Sequence, residues 1–434
     1  MTLPTLAAIL AVICAQTEGH GLLNNINNNF VQPFGLFKPA NKPCGRDLTL
    51  QFRDALNEFA MRLTNRASYY SKNHFIMSPY TIWLSLASLA EYADENEKLK
   101  MFSALNLPLE KCSRDQYYKL ALNLEVPGND VRFDRSRVLA IDDRATINED
   151  WISFSNASNI LKCISIPFVP ETFQTIYENM GIISADKVTY GGHSLLLDRL
   201  EYDGLWTTAF SAGTVERAPF YDELGQQIAM VDYMKMKDRV RLAHIPIIDA
   251  KALELPVGFD GRYTMLLTMG IKNTTIQKIL DLLRSSIILR VMSALTLSHV
   301  PLEVEVPRFL MTNAFDARPL LEDMGFGDLF SDPAATRDVS DPPAQPFSYL
   351  QRVAVNLTSG SLQTGSRSSN ILHNNVALEL FGMASDTATG LASAVGRNFK
   401  ANRPFLLTLI DTKTQVPIFT GVYSFPEDLG TSKI

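Results

Sequence analysis

Soon after residue 47 the apolar positions settle into a helical rhythm. Leu48, Phe52, Leu56, Phe59 and Leu63 recur at helical spacing with Arg53, Asp54 and Glu58 between them, which predicts an amphipathic helix with a core-facing stripe and Asp47 as its N-cap. Phe75-Ile76-Met77-Ser78-Pro79 predicts a short strand stopped by Pro79. Thr81 to Ala93 predicts a mostly apolar helix that must lie inside the molecule, and Glu95 to Leu105 an amphipathic one. Leu302 to Val306 alternates with Glu303 and Glu305, the pattern of a strand with one solvated face. Near the C-terminus, Leu406 to Asp411 and Val416 to Pro426 are rich in Leu, Ile, Val, Phe and Thr and flank the polar Thr412-Lys413-Thr414-Gln415; this predicts a buried hairpin.

The segments at the start of the chain read differently. Leu3 to Ala15 is an uncharged apolar run followed by small and polar residues through Gly19. It is too short to span a bilayer, which needs about 20 residues, but suits a secretory signal cut near Ala15 or Gly19. Gln16 to Arg46 carries an Asn-rich tract and then Pro33, Gly35, Pro39 and Pro43, a composition that buries little. The expected organisation is a signal over 1–19, an extension over 20–46 and one domain over 47–434.

The 434 residues are 46% hydrophobic, enough for a sizeable core. Net charge is −6 with Lys and Arg scattered, so no basic stripe for a nucleic acid is present. No later run suits a membrane anchor, and a secreted, extracellular monomer is expected. Removing Cys14 with the signal leaves Cys44, Cys112 and Cys163, which allows at most one intramolecular bridge. Asn156, Asn273 and Asn356 each open an N-glycosylation sequon.

Catalytic machinery is not legible. The six histidines show no HExxH spacing, and no cysteine pair sits at metal-ligand distance. Gly191-Gly192-His193-Ser194 lacks the closing glycine of a nucleophile elbow. Glu303 and Glu305 are explained by a solvated strand face. Neither an enzyme, a metal site nor a cofactor is expected.

Phe399-Lys400-Ala401-Asn402-Arg403-Pro404-Phe405, leading into Pro417-Ile418-Phe419-Thr420-Gly421-Val422 and ending at Pro426, closely resembles the terminal signature of the serpins. Asn73, Ser78-Pro79, Ile82, Leu89, Ala93 and Leu105-Asn106-Leu107 follow the same family's order, as do Leu195 to Leu197, Gly204, Trp206, Phe210 and Phe220, then Met230 to Met234, Val240 to Ala243, Ala252 to Pro256, Pro307-Arg308-Phe309, Leu321, Gly325, Asp328 and Phe330. Tyr92 stands where the family has glycine, Glu97 where it has threonine, and Asp198 where it usually has asparagine. The resemblance implies an α+β serpin fold with one large mixed β-sheet, two smaller sheets and eight or nine helices.

It also implies where function resides: in an exposed loop ahead of the terminal signature, which a target protease attacks and which then inserts into the main sheet, dragging the acylated protease along. Taking Leu378-Glu379-Leu380 as the preceding strand makes Gly382, Met383, Ala384, Ser385, Asp386, Thr387, Ala388 and Thr389 the hinge and proximal loop. Gly382 and Met383 replace the family's acidic pair and Ala384 its hinge glycine. Counting forward from that hinge puts the bait near Arg397 or Asn398, whereas counting back from Phe399 puts it near Leu391; the two differ by about seven residues, or about 23 Å of strand. A second register takes Leu350 to Val355 as the preceding strand, with the Ser-, Thr- and Gly-rich Thr358 to Asn370 opening a loop of nearly forty residues and Leu362 in the position that wants threonine. Either register departs from the inhibitory pattern. The expectation is a secreted binding, carrier or decoy serpin, partnered by an extracellular serine protease or another secreted protein, with the alternative a suicide inhibitor of a trypsin-like protease.

Overall fold

The computed structural model describes residues 47–126, 131–182, 192–208, 210, 216–258, 260–357 and 398–426. Its helices are α1 (Thr49–Tyr70), α2 (Pro79–Ala90), α3 (Glu95–Ala104), α4 (Lys111–Asn123), α5 (Glu149–Ser158), α6 (Pro170–Met180), α7 (Ile276–Leu282), α8 (Ser285–Ala294), α9 (Arg318–Leu321) and α10 (Gly327–Ser331). The last two are one helix broken at Gly325, whose φ of +94° only glycine adopts freely, so the helical units number nine among the described residues.

The strands are β1 (Phe75–Met77), β2 (Val131–Asp142), β3 (Thr146–Ile147), β4 (Lys162–Ile166), β5 (Ser194–Gly204), β6 (Glu216–Tyr221), β7 (Gln227–Asp238), β8 (Arg241–Ile245), β9 (Ala250–Val257), β10 (Tyr263–Gly270), β11 (Thr296–Leu297), β12 (Leu302–Pro307), β13 (Phe309–Asp316), β14 (Ser340–Asp341), β15 (Pro346–Leu357), β16 (Asn398–Lys400), β17 (Phe405–Asp411) and β18 (Val416–Tyr423). They build a mixed sheet in the order β13-β15-β5-β2-β4, an antiparallel sheet β1-β18-β17-β10-β9-β8-β11, a four-stranded sheet β16-β12-β7-β6 and the ribbon β14-β3. This is the expected α+β architecture. The mixed sheet holds two of the three longest strands, β2 and β15 at 12 residues each, while the antiparallel sheet reaches seven by adding short pieces at its edges.

Local chemistry accounts for the elements. Phe52, Leu56, Phe59 and Leu63 of α1 are fully buried, and Asp47 accepts the Thr49 backbone N–H at 2.9 Å. All twelve residues of α2 are buried, because the helix lies between the antiparallel and mixed sheets; its flanking Ser78 hydroxyl donates to the Ile418 carbonyl of β18 at 2.7 Å. The C-terminal hairpin closes as its sequence predicts: Asp411 accepts Thr414 N–H and hydroxyl at 2.8 and 2.7 Å, and Gln415 takes the left-handed φ of +58°. A second cluster packs α6 on the outer face of the mixed sheet, with Phe173, Ile176, Tyr177 and Met180 against Leu195, Leu197, Phe347 and Leu350.

The two departures in the α2–α3 region are absorbed by local packing. The Tyr92 ring lies edge-on to Trp151 with centroids 5.0 Å apart, and its hydroxyl donates to the Asp150 carbonyl at 3.0 Å. Glu97 is buried and paired with Lys100, which also reaches Asp328 at 2.9 Å.

Candidate functional site: the parallel seam of the mixed sheet

Within an otherwise mixed ladder, β15 and β5 run side by side in parallel from Pro346 opposite Ser194 to Asn356 opposite Asp203. Antiparallel strands flank the pair, β13 on one side and β2 on the other. A parallel pair is a place where one further strand, running opposite to both, can pair with each neighbour if the two part. After Leu357 the next described residue is Asn398, which opens β16 in the four-stranded sheet, parallel to β12. Residues 358–397 therefore connect the seam to a different sheet.

The inner face of the seam carries one buried polar knot. Asp198 of β5 is 1% exposed. Its Oδ2 accepts the Thr81 hydroxyl at 2.6 Å, Gln351 Nε2 at 2.7 Å and the Tyr349 hydroxyl at 3.4 Å; its Oδ1 has no hydrogen-bond partner. Gln351 of β15 in turn accepts the Ser78 N–H at 3.0 Å and donates to the Ser78 carbonyl at 3.0 Å. The knot thus ties β5, β15 and the start of α2 together. Burial pushes the Asp198 carboxyl up to about 6, against the pull of its three donors and of the nearby Arg137 charge. Arg137 is itself committed to Glu125, which also takes Arg135.

On the outer face, Arg199 of β5 and Arg352 of β15 stand opposite one another in register. Two like charges side by side repel, and Glu201 bridges them: 2.7 Å to Arg199 and 3.9 Å to Arg352. Glu201 is thus the counter-ion across the seam. Arg352 also donates to the Met180 carbonyl at the end of α6, at 3.3 Å. Gly181 permits this approach: its φ is +69°, and a Cβ there would sit 2.4 Å from Arg352 Nη1.

The residues singled out from sequence fall in three places. Gly382, Met383, Ala384, Ser385, Asp386, Thr387, Ala388, Thr389, Leu391 and Arg397, together with the strand Leu378-Glu379-Leu380, lie outside the described residues. Asn398 does not sit in a loop: it is the exposed first residue of β16, opposite Glu303, followed by buried Phe399 and by Lys400, paired with Glu305 at 2.7 Å. Of the two registers, the one starting from Leu350 to Val355 coincides with a described strand, β15. The physical reason is pairing, because those residues ladder with β13 and β5 on both sides.

Asn156 is exposed in the last turn of α5, Asn273 is exposed in the turn before α7, and Asn356 is half-buried on β15. Cys112 is disulfide-bonded. Cys163 is free, half-buried, and burial pushes its thiol up to about 11. Among the described residues no group of His, Cys, Asp or Glu is arranged to hold a metal ion, and no helix is long and apolar enough to cross a membrane. The sequence reading missed Thr81, Tyr349 and Gln351 as partners of Asp198. The available signal was Asp198 itself, a carboxylate within an apolar strand that required buried donors.

Comparison with known proteins places this arrangement in a family. The family described as serpin (serine protease inhibitor) matches residues 54–426. Human Serpin B11 is 22% identical over 232 residues, 54% of this chain and 55% of the relative. The leukocyte elastase inhibitor of Xenopus tropicalis is 25% identical over 251 residues, 56% of this chain and 61% of the relative. The matched stretch thus spans little more than half the length of these relatives. The native-state structure of tengpin, a thermophilic serpin, superposes with a TM-score of 0.71 at 16% identity, covering 88% of this chain and 96% of that one. With the family match running through nearly all of the described residues and the fold agreeing with it, the chain belongs to the serpins.

Proposed function

We propose that this chain is a secreted serpin that meets an extracellular serine protease as a binding or decoy substrate rather than as a suicide trap. The observation that carries this reading is the distance between the seam and the bait positions closest to β16. Trapping by strand insertion requires the cleaved segment to be taken up so completely that the attached protease is drawn against the body of the inhibitor. The seam accommodates about eleven residues, about 36 Å. Leu391 and Arg397 follow Leu357 by 34 and 40 residues, about 110–130 Å of extended chain. An insertion that fills the seam leaves most of that length slack.

Two further observations support the reading. An entering strand must break the Gln351 and Tyr349 bonds to Asp198, and Leu362 places a large side chain early in the segment that would enter. Secretion is supported by the bonded Cys112, a chemistry of oxidising compartments, and by the apolar run Leu3 to Ala15. Exposed Asn156 and Asn273 suit glycan attachment.

The alternative, a suicide inhibitor of a trypsin-like protease, is favoured by one specific observation. β5 and β15 are adjacent and parallel, ready to receive an antiparallel strand, and Arg367 follows Leu357 by ten residues, the length that fills the seam. Titrating trypsin with the purified protein and mapping the cleaved bonds by mass spectrometry separates the two. The decoy reading expects cleavage toward Leu391 to Arg397 with full residual protease activity. Stoichiometric loss of activity with cleavage at Arg367 would replace it with the inhibitor.

A further inference from the structure

Where β16 meets the antiparallel sheet, two half-buried cations form no ion pair with a carboxylate among the described residues. Lys251 lies on β9, and its Nζ sits 4.8 Å above the centre of the Phe399 ring. Phe399 is 1% exposed, so the ammonium is held over a buried aromatic face. Among the described residues Lys251 makes no ion pair or hydrogen bond through its side chain. His244 of β8 stands directly opposite it in the ladder, close enough for opposed side chains to touch. Arg403, in the turn between β16 and β17, is half-buried and donates to the Lys272 carbonyl at 2.7 Å. Among the described residues no carboxylate forms an ion pair with it either. Glu223 is the acidic group nearest in its electrostatics, but that carboxylate is engaged by the Ile276 N–H and forms no ion pair with Arg403.

Burying positive charge without an anion costs free energy, and two such charges near one another add repulsion. Burial, and then the Arg403 charge, holds the Lys251 ammonium below its ordinary range, while burial also lowers Arg403. Elsewhere in this protein buried or half-buried cations have matched carboxylates: Arg137 with Glu125, Arg114 with Glu91, Arg262 with Asp411. The cation–π contact with Phe399 offsets part of the cost for Lys251 but leaves its three N–H donors without a protein acceptor among the described residues. Arg403 keeps part of its donor fork free beyond the single bond to Lys272.

We propose that Lys251 and Arg403, with His244 at the rim, form a binding site for a small oxyanion of the phosphate or carboxylate class. The ammonium and guanidinium supply charge-assisted donors from two different elements. Phe399 fixes the lysine, and the bound anion neutralises two charges that the fold otherwise leaves unmatched. Because Phe399 lies on β16 and Arg403 just ahead of β17, such an anion would also pin β16 to the antiparallel sheet.

The test uses the full-length protein with inorganic phosphate as the probe, against sodium chloride at equal ionic strength. Phosphate is expected to raise the unfolding midpoint of the wild type by about 1–3 °C over chloride, and calorimetric titration to show one site. Lys251→Met, which removes an unmatched charge and keeps the stem over Phe399, should unfold at a higher temperature than the wild type in chloride. It should also bind phosphate at least tenfold more weakly. Arg403→Gln should weaken phosphate binding by a similar factor and guards against a misfolded Lys251 variant. Equal phosphate responses in the wild type and both variants would overturn the proposal, as would a Lys251→Met protein less stable in chloride with its phosphate affinity intact.

Discussion

Asp198→Asn is the substitution whose effect follows most directly from the seam. Asp198 is fully buried, its carboxyl is pushed up to about 6 from an ordinary 3.8, and desolvation is the leading cause. A carboxylate raised in the folded state stabilises the fold fully below its unfolded value. That contribution is lost as pH rises through the folded value, between about 4 and 6. Two pH units correspond to about 3 kcal/mol of stability absent at pH 7.5 relative to pH 4 from this one group. Asparagine keeps the shape, its carbonyl oxygen can take the Thr81, Gln351 and Tyr349 donors, and it cannot ionise. Asp198→Asn should therefore match the wild type near pH 4 and exceed it at pH 7.5 by about 1–3 kcal/mol, the lower end allowing for an amide nitrogen placed where Oδ1 has no partner. Urea unfolding followed by tryptophan fluorescence from pH 4 to 8 measures both curves. Parallel pH profiles, or a variant weaker than the wild type at pH 7.5, would refute the assignment of the charged form as the strained one.

Other consequences are as direct. Glu125→Gln removes the only acid that, among the described residues, pairs with buried Arg137 and half-buried Arg135, and should cost about 3 kcal/mol or more in chemical denaturation. Gly181→Ala meets both a left-handed φ and the Arg352 guanidinium; a loss of about 1–2 kcal/mol is expected, together with faster hydrogen exchange at the end of α6. Cys163, with its thiol up at about 11, should react with iodoacetamide at pH 7.5 at least a hundredfold more slowly than a free cysteine, until denaturant is added.

Much of the frame was written in local pattern. Phe52, Leu56, Phe59 and Leu63 announced α1 because one helix stripe faces one core, and Pro79 marked the end of β1; α2 starts at Pro79 itself rather than at Thr81, because proline fits a helix's first turn. The hairpin β17–β18 was legible because both of its strands are buried on both faces and so read as continuous apolar runs. β2 was not legible. Its first half, Val131-Arg132-Phe133-Asp134-Arg135-Ser136-Arg137, has the charge density of a loop. It is a strand only because β5 pairs along it and Glu125 receives Arg135 and Arg137. The strand ahead of the loop was ambiguous for a related reason: Leu378-Glu379-Leu380 and Leu350 to Val355 look equally strand-like in isolation; ladder partners, which are non-local, establish the second as a strand, and the first lies outside the described residues. Likewise Asp198 could be recognised as needing donors, but Gln351 and Thr81 lie 153 and 117 residues away, and no spacing rule links them.

Whether a protease that attacks the segment between β15 and β16 escapes or stays attached is decided by a covalent bond, and denaturing electrophoresis reads that bond. Incubating the protein with equimolar trypsin or chymotrypsin for minutes and boiling in detergent should give cleaved serpin and free protease, with no band at the summed mass. A detergent-resistant band containing both chains, appearing in proportion to protease inactivated, would contradict the slack-loop account and establish a trap.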